Sequence, residues 1–231
     1  MSVVITGATG GVGEAVARNF ASNGYNITLL GRNEDKLIKL SESISGNNHV
    51  LVKYYLCDVE KESTLTTSIN AINESPDEVN ILINVAGVFP FGPLREMEVG
   101  VYDNCMSVNL KLPLILSTGL FEKLKQGKGG KIINIGSSSS YSGFKHTVIY
   151  CASKHALLGF SRALNDEWKN FGITVHCISP GTIDTKMANV LKQDSSTYIN
   201  TMEFAELVYD VSCYEGNMLV EEVRAVRRVI R

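Results

Sequence analysis

The residues of this sequence that could perform chemistry together are a serine, a tyrosine and a lysine. Tyr150 and Lys154 lie four positions apart at the start of a segment with helical periodicity, so their side chains share one face. Ser137 comes 13 positions before Tyr150, directly after a predicted strand. A free tyrosine has a pKa of about 10, and a neighbouring ammonium favours its phenolate form. The set therefore predicts a phenol that exchanges protons with a substrate near neutral pH.

The serine of this set has a neighbour that could replace it. Tyr-x-x-x-Lys also arises by chance in amphipathic helices, so the pattern gains its meaning from the strand and the serine before it. Ser137 is the first of four consecutive serines, residues 137–140. We take Ser137 as the reactive serine because it follows the strand, and Ser138 is the alternative.

The elements that must position these residues alternate along the chain. Short runs rich in Val, Ile and Leu predict strands at residues 2–6, 26–30, 50–56, 79–85, 131–136, 174–178 and 222–229. Apolar residues at three- and four-residue steps predict helices at residues 12–22, 34–45, 60–74, 99–125, 148–171 and 202–213. The alternation predicts an α/β fold, a Rossmann-type doubly wound parallel sheet of about seven strands with helices on both faces. No repeat or linker divides the chain, so we expect residues 1–231 to form a single domain.

The composition excludes several other classes of protein. The 231 residues are 44% apolar and 20% charged, which is typical of a globular domain. Twenty-two basic and 24 acidic residues leave a net charge of −2, so no overall field attracts nucleic acid or an anionic membrane. The sequence lacks both an apolar run of about 18 residues and an N-terminal apolar stretch of secretory length. We expect a cytoplasmic protein with no nucleic-acid or membrane partner.

The cysteines and histidines predict neither a disulfide framework nor a metal site. The cysteines are odd in number, widely spaced and without a CxxC pair: Cys57, Cys105, Cys151, Cys177 and Cys213. No ligand spacing connects the four histidines, which are His49, His146, His155 and His176. We therefore expect no metal. His146, in the loop between the reactive serine and tyrosine, is a candidate for contact with a substrate.

A glycine-rich turn follows the first predicted strand. Residues 6–13 read TGATGGVG, with glycines at positions 7, 10, 11 and 13. Glycines let backbone N–H groups approach a pyrophosphate closely, and the helix that follows directs its positive end at the phosphates. The turn departs from the common GxGxxG pattern, and a merely tight turn is the alternative interpretation.

Gly31-Arg32, after the second strand, bears on the choice between two dinucleotides. An acidic residue there would bind the adenosine ribose of NAD, whereas Arg32 can bind the 2′-phosphate of NADP. We therefore favour NADP(H) over NAD. An ordinary surface arginine is the alternative interpretation of Arg32. Lys36, one helical turn later, is either a second phosphate contact or a solvated residue.

Several motifs, taken in order, resemble those of the classical short-chain dehydrogenases/reductases. Residues 6–13 resemble that family's TGxxxGxG turn, and residues 84–87, NVAG, resemble its NNAG motif. The serine, tyrosine and lysine have the family's spacing, and residues 180–185, PGTIDT, resemble its PGxxxT segment. The turn also matches the TGxxGxxG of the extended branch, but only 46 residues follow Thr185, too few for that branch's C-terminal domain.

The resemblance implies a nicotinamide dinucleotide bound at the carboxyl ends of the strands. The cofactor-binding residues that it implies are Gly7, Thr9, Gly11, Val12, Gly13, Arg32, Asp58, Asn84, Ala86, Gly87, Tyr150, Lys154, Pro180, Gly181, Ile183 and Thr185. Asp58 would contact the adenine amino group, although an aspartate before a helix is equally expected as its N-cap. The Ile183 backbone and the Thr185 hydroxyl would hold the nicotinamide carboxamide.

The resemblance also implies a reaction, hydride transfer between the nicotinamide and a carbonyl compound or secondary alcohol. Ser137 would bind the substrate oxygen, Tyr150 would pass the proton, and Lys154 would bind the nicotinamide ribose and lower the tyrosine pKa. Asn109 would kink the long helix and hold a water of the proton relay. The sequence thus predicts an NADP(H)-dependent oxidoreductase of the carbonyl reductase type. The alternative is a non-catalytic dinucleotide-binding regulatory protein of the same fold.

The sequence says less about the substrate and the assembly. Residues 186–201 are expected to cover a small-molecule substrate. The helices at 99–125 and 148–171 have more apolar surface than one sheet face needs, which predicts a homodimer or homotetramer. The tail beyond residue 202 lacks the family's glycine-rich final strand and carries four arginines, Arg224, Arg227, Arg228 and Arg231.

Overall fold

Seven parallel strands form the centre of the structure, a computed structural model that describes residues 1–127, 129–216 and 218–227. The strands are β1 (Ser2–Thr6), β2 (Asn26–Gly31), β3 (Val52–Leu56), β4 (Ile81–Asn84), β5 (Lys131–Ile135), β6 (Thr174–Pro180) and β7 (Glu222–Ala225). Their order across the sheet is β3-β2-β1-β4-β5-β6-β7. The strand order reverses between β1 and β4, which is where an open parallel sheet binds its ligand. The predicted doubly wound parallel sheet is confirmed.

Helices connect the strands and cover both faces of the sheet. They are α1 (Gly11–Ser22), α2 (Glu34–Asn47), α3 (Glu62–Glu74), α4 (Val99–Met106), α5 (Leu112–Gly119), α6 (Phe121–Gln126), α7 (Val148–Trp168) and α8 (Thr201–Cys213). The predicted ends of β1 to β6 lie within two residues of the observed ends. The hydrophobic period therefore located the elements that carry the candidate site residues.

Side chains of the strands alternate between two apolar layers. In β1, Val3 and Ile5 contact the layer formed with α1, α2 and α8, while Val4 contacts the opposite layer. Phe20 of α1 and Phe204 of α8 fill the first layer and are fully buried. Helices α3 and α5 and the end of α7 contribute to the second layer. Because both faces are covered, the central strands are nearly continuous apolar runs rather than alternating ones.

The prediction of one continuous helix over residues 99–125 is wrong, because the structure divides this region into several helices. Helix α4 passes into a π-helical turn, Ser107–Lys111, before α5 begins, and a break at Leu120 separates α5 from α6. In the π turn the buried side chain of Asn109 accepts a hydrogen bond from the N–H of Val88 at 2.8 Å and donates one to its carbonyl oxygen at 3.0 Å. An amide that bonds a neighbouring loop accounts for a widened helix at this residue. A π-helical turn therefore lies at the residue where the resemblance implies a kink.

The last strand is shorter than the sequence predicts. The strand predicted at 222–229 is observed as β7, Glu222–Ala225, and residues 228 and 229 lie outside the described residues. In the pairing of β7 with β6, Ala225 stands opposite Pro180. The residues that follow β7 therefore start at the carboxyl end of β6, beside the predicted ligand edge.

Residues 186–201, which are expected to cover a substrate and are called the covering segment below, have little regular structure. They contain two 3-10 turns, Lys186–Leu191 and Ser195–Thr197. A β-bridge between Ile183 and Ile199 brings the two ends of the segment together. The segment thus forms a short loop over the carboxyl end of β6.

The surface of the described part of the chain bears on two further expectations. No helix in ranges 1–127, 129–216 and 218–227 is long and apolar enough to cross a membrane. Apolar side chains on α4 and α5 are exposed, namely Val99, Tyr102 and Leu114. The homodimer or homotetramer that this helical surface suggests stays a prediction.

Candidate active site

A cleft of about 1480 Å³ lies along the carboxyl ends of the strands. Its walls are the loops that follow β1 to β6, together with residues 226 and 227 after β7. Sixteen of the expected site residues line it, namely Gly7, Thr9, Gly11, Val12, Gly13, Arg32, Asp58, Ala86, Gly87, Ser137, Tyr150, Lys154, Pro180, Gly181, Ile183 and Thr185. Asn84 and Asn109 do not belong to the wall and are described separately below.

The turn between β1 and α1 lets a ligand approach the backbone. Gly7 has a φ of +62°, and a Cβ atom added there would lie 2.7 Å from the Cα of Ala86. A Cβ atom at Gly13 would overlap the carbonyl oxygen of Gly7. Gly10 precedes α1 without a side-chain cap, so the first N–H groups of this helix remain available at the cleft. This helix end is suited to bind phosphate.

Thr6 fixes the position of this turn relative to the next strand, a role that the sequence analysis missed. Its Oγ1 accepts hydrogen bonds from the N–H groups of Val85 and Ala86, at 3.0 and 3.1 Å. The side chain is buried at the end of β1. One hydroxyl thus joins the loops after β1 and β4, where the strand order reverses. A polar residue ending an otherwise apolar strand was the available signal.

The loops after β2 and β3 form one end of the cleft. Arg32 is exposed there beside Lys36, and the side chain of Asn33 accepts a hydrogen bond from the N–H of Lys36 at 2.9 Å to cap α2. Asp58 accepts a hydrogen bond from the N–H of Glu60 at 3.1 Å. Helix α3 begins at Glu62 with Lys61 as its N-cap residue, so the alternative assignment of Asp58 as the N-cap is wrong. The Asp58 carboxylate lies at the cleft instead.

These features fit a nicotinamide dinucleotide. The cleft extends from Arg32 and Asp58 to Ser137 and Tyr150, with the beginning of α1 in its wall. A dinucleotide carries its two phosphates at its centre. The beginning of α1 would lie against them, and its uncapped N–H groups and glycines allow close contact. Side chains at Gly7 and Gly13 would overlap the backbone of Ala86 and of Gly7 itself, so the turn could not keep this shape.

Asn84 lies beneath the cleft rather than in it. Its Nδ2 donates a hydrogen bond to Oδ1 of Asn134 on β5 at 2.8 Å, and Nδ2 of Asn134 donates one to the hydroxyl of Ser161 on α7 at 2.9 Å. All three side chains are buried. The structure therefore places Asn84 in a polar chain that joins β4, β5 and α7. Asn134 and Ser161 were not among the sequence candidates, because a buried amide in a strand has no distinguishing pattern.

The predicted serine, tyrosine and lysine meet at the other end of the cleft. Lys154 is buried, and its ammonium donates a hydrogen bond to the carbonyl oxygen of Ile135 at 2.7 Å. The ammonium lies 5.8 Å from the centroid of the Tyr150 ring. The hydroxyl of Ser137 accepts a hydrogen bond from the N–H of Ser139 at 3.1 Å, which holds the side chain at the end of β5. Ser138, the alternative serine, also lines the cleft.

The proton affinities at this end differ from the sequence expectation. Burial raises the pKa of Tyr150 to about 12, and the hydrogen bond with Ser137 acts in the opposite direction. Burial lowers the pKa of Lys154 to about 8. Desolvation of the phenol is the largest cause of the tyrosine shift, and the lowering expected from Lys154 is not among its causes in this geometry. At neutral pH the phenol is protonated and the amine is still mostly an ammonium.

Asn109 acts on the site through its neighbours. Besides its two bonds to Val88, its Nδ2 donates to the hydroxyl of Ser153 on α7 at 3.0 Å. Gly87 lies close to both groups: a Cβ atom added to it would be 3.5 Å from Oδ1 of Asn109 and 3.9 Å from the ammonium of Lys154. Asn109 thus fixes the loop after β4 against the helix that carries Tyr150.

The segment after β6 lies close to the beginning of α1. Thr185 lies against Gly11, since a Cβ atom added to Gly11 would be 3.1 Å from the methyl carbon of Thr185. Ile183 is buried between the covering segment and the sheet. The N–H of Gly181 donates to the carbonyl oxygen of Ala225 on β7 at 2.7 Å. The predicted segment 180–185 is therefore in place to line the cleft between α1 and Tyr150.

Aromatic side chains that the sequence analysis missed surround the phenol. The ring of Phe89 meets that of Tyr150 edge to face at 4.6 Å between centroids, and Phe91 lies 5.9 Å from Phe89. His146, which was a candidate for substrate contact, lies 5.6 Å from Phe91. Phe144 also lines this end of the cleft. Only long-range contacts bring these rings together, so no local pattern marked them.

Comparison with known proteins places these features in one family. The family model described as short chain dehydrogenase matches residues 1–196. A 3-oxoacyl-[acyl-carrier-protein] reductase from Rickettsia felis is 32% identical over 190 residues, which cover 82% of this chain and 76% of the relative. An uncharacterized oxidoreductase from Thermotoga maritima is also 32% identical, over 80% of this chain and 72% of that protein.

A solved structure extends the similarity to almost the whole fold. An alcohol dehydrogenase from the archaeon Thermococcus sibiricus, complexed with 5-hydroxy-NADP, superposes with a TM-score of 0.90. It is 26% identical, and the match covers 99% of this chain and 96% of that one. The similarity supports a nicotinamide dinucleotide as the cofactor of this cleft.

The two hydrogen bonds of Thr6 generate a test of how the cleft is assembled. We expect Thr6→Val to lower the free energy of unfolding by about 1–3 kcal/mol, because two buried N–H groups lose their acceptor while the shape of the side chain is kept. We also expect weaker binding of NADPH, measured by titration. Thr6→Ser keeps the hydroxyl and is the matched control. Equal stability of the Val and Ser variants would contradict this role.

Proposed function

Because the chain belongs to the short chain dehydrogenase family, we propose that it is an oxidoreductase that uses NADP(H) to interconvert a small carbonyl compound and its alcohol. The observation that carries this proposal is the convergence of the Tyr150 phenol, the Ser137 hydroxyl and the buried ammonium of Lys154 at one end of the cleft. A purely structural role would not require these three polar groups to converge in an apolar environment.

In the reducing direction, we assign the proton to Tyr150. Bound NADPH would supply a hydride to the carbonyl carbon. A pKa of about 12 keeps the phenol protonated at neutral pH, so it can donate its proton to the carbonyl oxygen as negative charge develops there. The hydroxyl of Ser137 donates a hydrogen bond to the same oxygen and stabilises that charge. This proton and the hydride together complete the alcohol, and Tyr150 afterwards regains a proton from solvent, which restores the starting state of the protein.

Lys154 stabilises the phenolate that remains on Tyr150 after it has donated its proton. Its ammonium is held by the carbonyl oxygen of Ile135 and lies 5.8 Å from the phenol ring centroid. A fixed positive charge near the ring favours the ionised phenol once it forms. The same ammonium is the group that we expect to hold the nicotinamide ribose. Asn109 serves as a positioning residue, since its bonds reach Val88 and Ser153 on the loop and helix around the phenol.

We propose NADP(H) rather than NAD from the charge at the opposite end of the cleft. Arg32 directly follows β2 and is exposed beside Lys36. A guanidinium and an ammonium offer donors to a 2′-phosphate, whereas an acid that would bind the free ribose hydroxyls is missing at positions 31 and 32. The NADP derivative in the Thermococcus sibiricus structure is consistent with this choice.

Replacing the phenol separates catalysis from binding. We expect Tyr150→Phe to lower kcat for ketone reduction about 10²–10⁴-fold, since the proton donor is lost while the ring remains. NADPH affinity should change only a few-fold. Tyr102→Phe removes an exposed phenol outside the cleft and is the control. Undiminished turnover in Tyr150→Phe would refute the assignment, and NADPH binding by the unmodified protein without oxidation across a broad ketone panel would support the non-catalytic alternative.

The pKa of Lys154 predicts a pH dependence. Below pH 8 the side chain is an ammonium, and as the pH rises through about 8 the charge is lost. We expect kcat/KM for NADPH, which reports the free enzyme, to be level below pH 7 and to fall above an apparent pKa near 8. The phenol stays protonated over this range. Lys154→Met should react more slowly and lack the inflection, and an unchanged inflection in that variant would assign it to another group.

Arg32 predicts a change in cofactor preference. We expect Arg32→Gln to lower the ratio of kcat/KM with NADPH to that with NADH about 10- to 100-fold, because a charge-assisted contact to the 2′-phosphate is worth about 1.5–3 kcal/mol. Arg95→Gln, which removes an exposed arginine outside the cleft, should leave the ratio unchanged. An equal ratio in the unmodified protein and the Arg32 variant would contradict the proposed contact.

A further inference from the structure

The charged residues of the cleft are distributed unevenly. Two acids of the described residues line it, Glu14 and Asp58. Glu14 pairs with Arg18 at 2.9 Å, and Asp58 lies with Arg32 at the far end. Apart from Arg32 and Lys36 at that far end, the other charged residues of the described wall are basic, namely Lys145, Lys154, Lys186 and Arg227.

Two of these four cations are not accounted for by the cofactor or by catalysis. Lys154 belongs to the catalytic set. Lys186 follows Thr185, which lies against Gly11 at the phosphate-binding turn, so its ammonium can serve the phosphates. Lys145 lies between the cleft-lining residues Phe144 and His146, and Arg227 follows β7. They come from separate parts of the chain, and both line the cleft.

The fold holds Arg227 in place through several contacts. The hydrogen bond from Gly181 to Ala225 fixes the backbone two residues before it, and the Cγ of Arg227 lies 3.5 Å from the position of a Cβ atom at Gly181. One guanidinium nitrogen donates to the hydroxyl of Thr197 in the covering segment at 3.1 Å. Arg227 therefore bridges the sheet edge and the segment that covers the substrate.

Strand β7 is itself fastened to the loop that carries the catalytic serine. The carboxylate of Glu222 accepts a hydrogen bond from the phenol of Tyr141 at 2.9 Å and pairs with Arg162 on α7. The guanidinium carbon of Arg224 lies 3.4 Å from the centroid of the Tyr141 ring. Because Glu222 and Arg224 lie on the same face of β7, these contacts fix that face of the strand, and the residue that follows it at the cleft has a defined place.

We propose that the substrate is a carbonyl compound that carries an oxyanion group, a carboxylate or a phosphate, and that Arg227 binds this group with support from Lys145. This substrate class rests on the proposed reductase function. A guanidinium presents five N–H donors in a planar fork that matches both groups, and the described contacts use one donor on Thr197. Within the described part of the chain, no carboxylate forms an ion pair with Arg227 or Lys145. The rings of Phe89 and Phe91 would contact the uncharged part of the substrate.

The experiment compares matched anionic and neutral compounds. We would measure kcat/KM at fixed NADPH for 4-oxopentanoate against its methyl ester, and for dihydroxyacetone phosphate against dihydroxyacetone. We expect the anionic member of at least one pair to be preferred more than tenfold; the pair that shows this identifies carboxylate or phosphate. Arg227→Gln should lower that preference at least fivefold, Arg227→Lys should restore most of it, and Arg95→Gln should leave it unchanged.

A binding measurement and a second variant, Lys145→Gln, test the same inference independently of turnover and of the folding of Arg227→Gln. Titration of the NADPH-loaded protein with the same four compounds, followed by cofactor fluorescence, should show the same preference without turnover. If Arg227→Gln does not fold, Lys145→Gln should lower the preference by a smaller factor. A preference for the neutral compounds, or one that neither variant changes, overturns the inference while the reductase function stands. An effect of Arg227→Gln on the KM for NADPH alone would assign the guanidinium to the cofactor and also overturn it. Anion-selective binding with no turnover of these four compounds would support the anion site and count against the reductase function.

Discussion

The buried ammonium of Lys154 is the constraint that the surrounding structure must satisfy. Burial lowers its pKa from 10.5 to about 8, which corresponds to an unfavourable free energy on the order of 3 kcal/mol for the charged form. The carbonyl oxygen of Ile135 offsets part of this cost through a charge-assisted hydrogen bond at 2.7 Å. The acceptor is the last residue of β5 and the donor is in the second turn of α7, so the relation between strand and helix sets the position of the charge. Tyr150, one helical turn earlier, is placed by the same contact.

Polar side chains inside the sheet maintain this relation. The chain from Asn84 through Asn134 to Ser161 joins β4 to β5 and β5 to α7, in an environment where unpaired amides would be costly. Thr6 performs a similar function between β1 and the loop after β4. These residues do not contact the reacting atoms. They determine the separation between the phosphate-binding turn and the phenol, which must match the length of the dinucleotide.

The interruption of the long helix has a comparable effect on the substrate end. The π turn directs the amide of Asn109 at the backbone of Val88 and at Ser153, so the loop after β4 is held against α7. Phe89, the next residue of that loop, thereby meets the ring of Tyr150. A regular helix through residue 109 would have satisfied its own backbone and left the loop without this anchor. The irregular turn in the helix therefore fixes the position of the loop after β4 at the site.

The sequence by itself determined the strands, most of the helices and the Ser137, Tyr150 and Lys154 set, because hydrophobic period and helical spacing are local properties of the chain. It also located the glycine turn, since Gly7 and Gly13 reflect backbone geometry that other residues cannot adopt. Only the tertiary structure decided that Asn84 lies beneath the cleft, that Asp58 does not cap α3, and that burial raises the pKa of Tyr150. Those outcomes depend on burial and on contacts between segments far apart in the chain. The same is true of Phe89 and Arg227, whose places at the cleft follow from packing across the sheet edge rather than from any nearby residue.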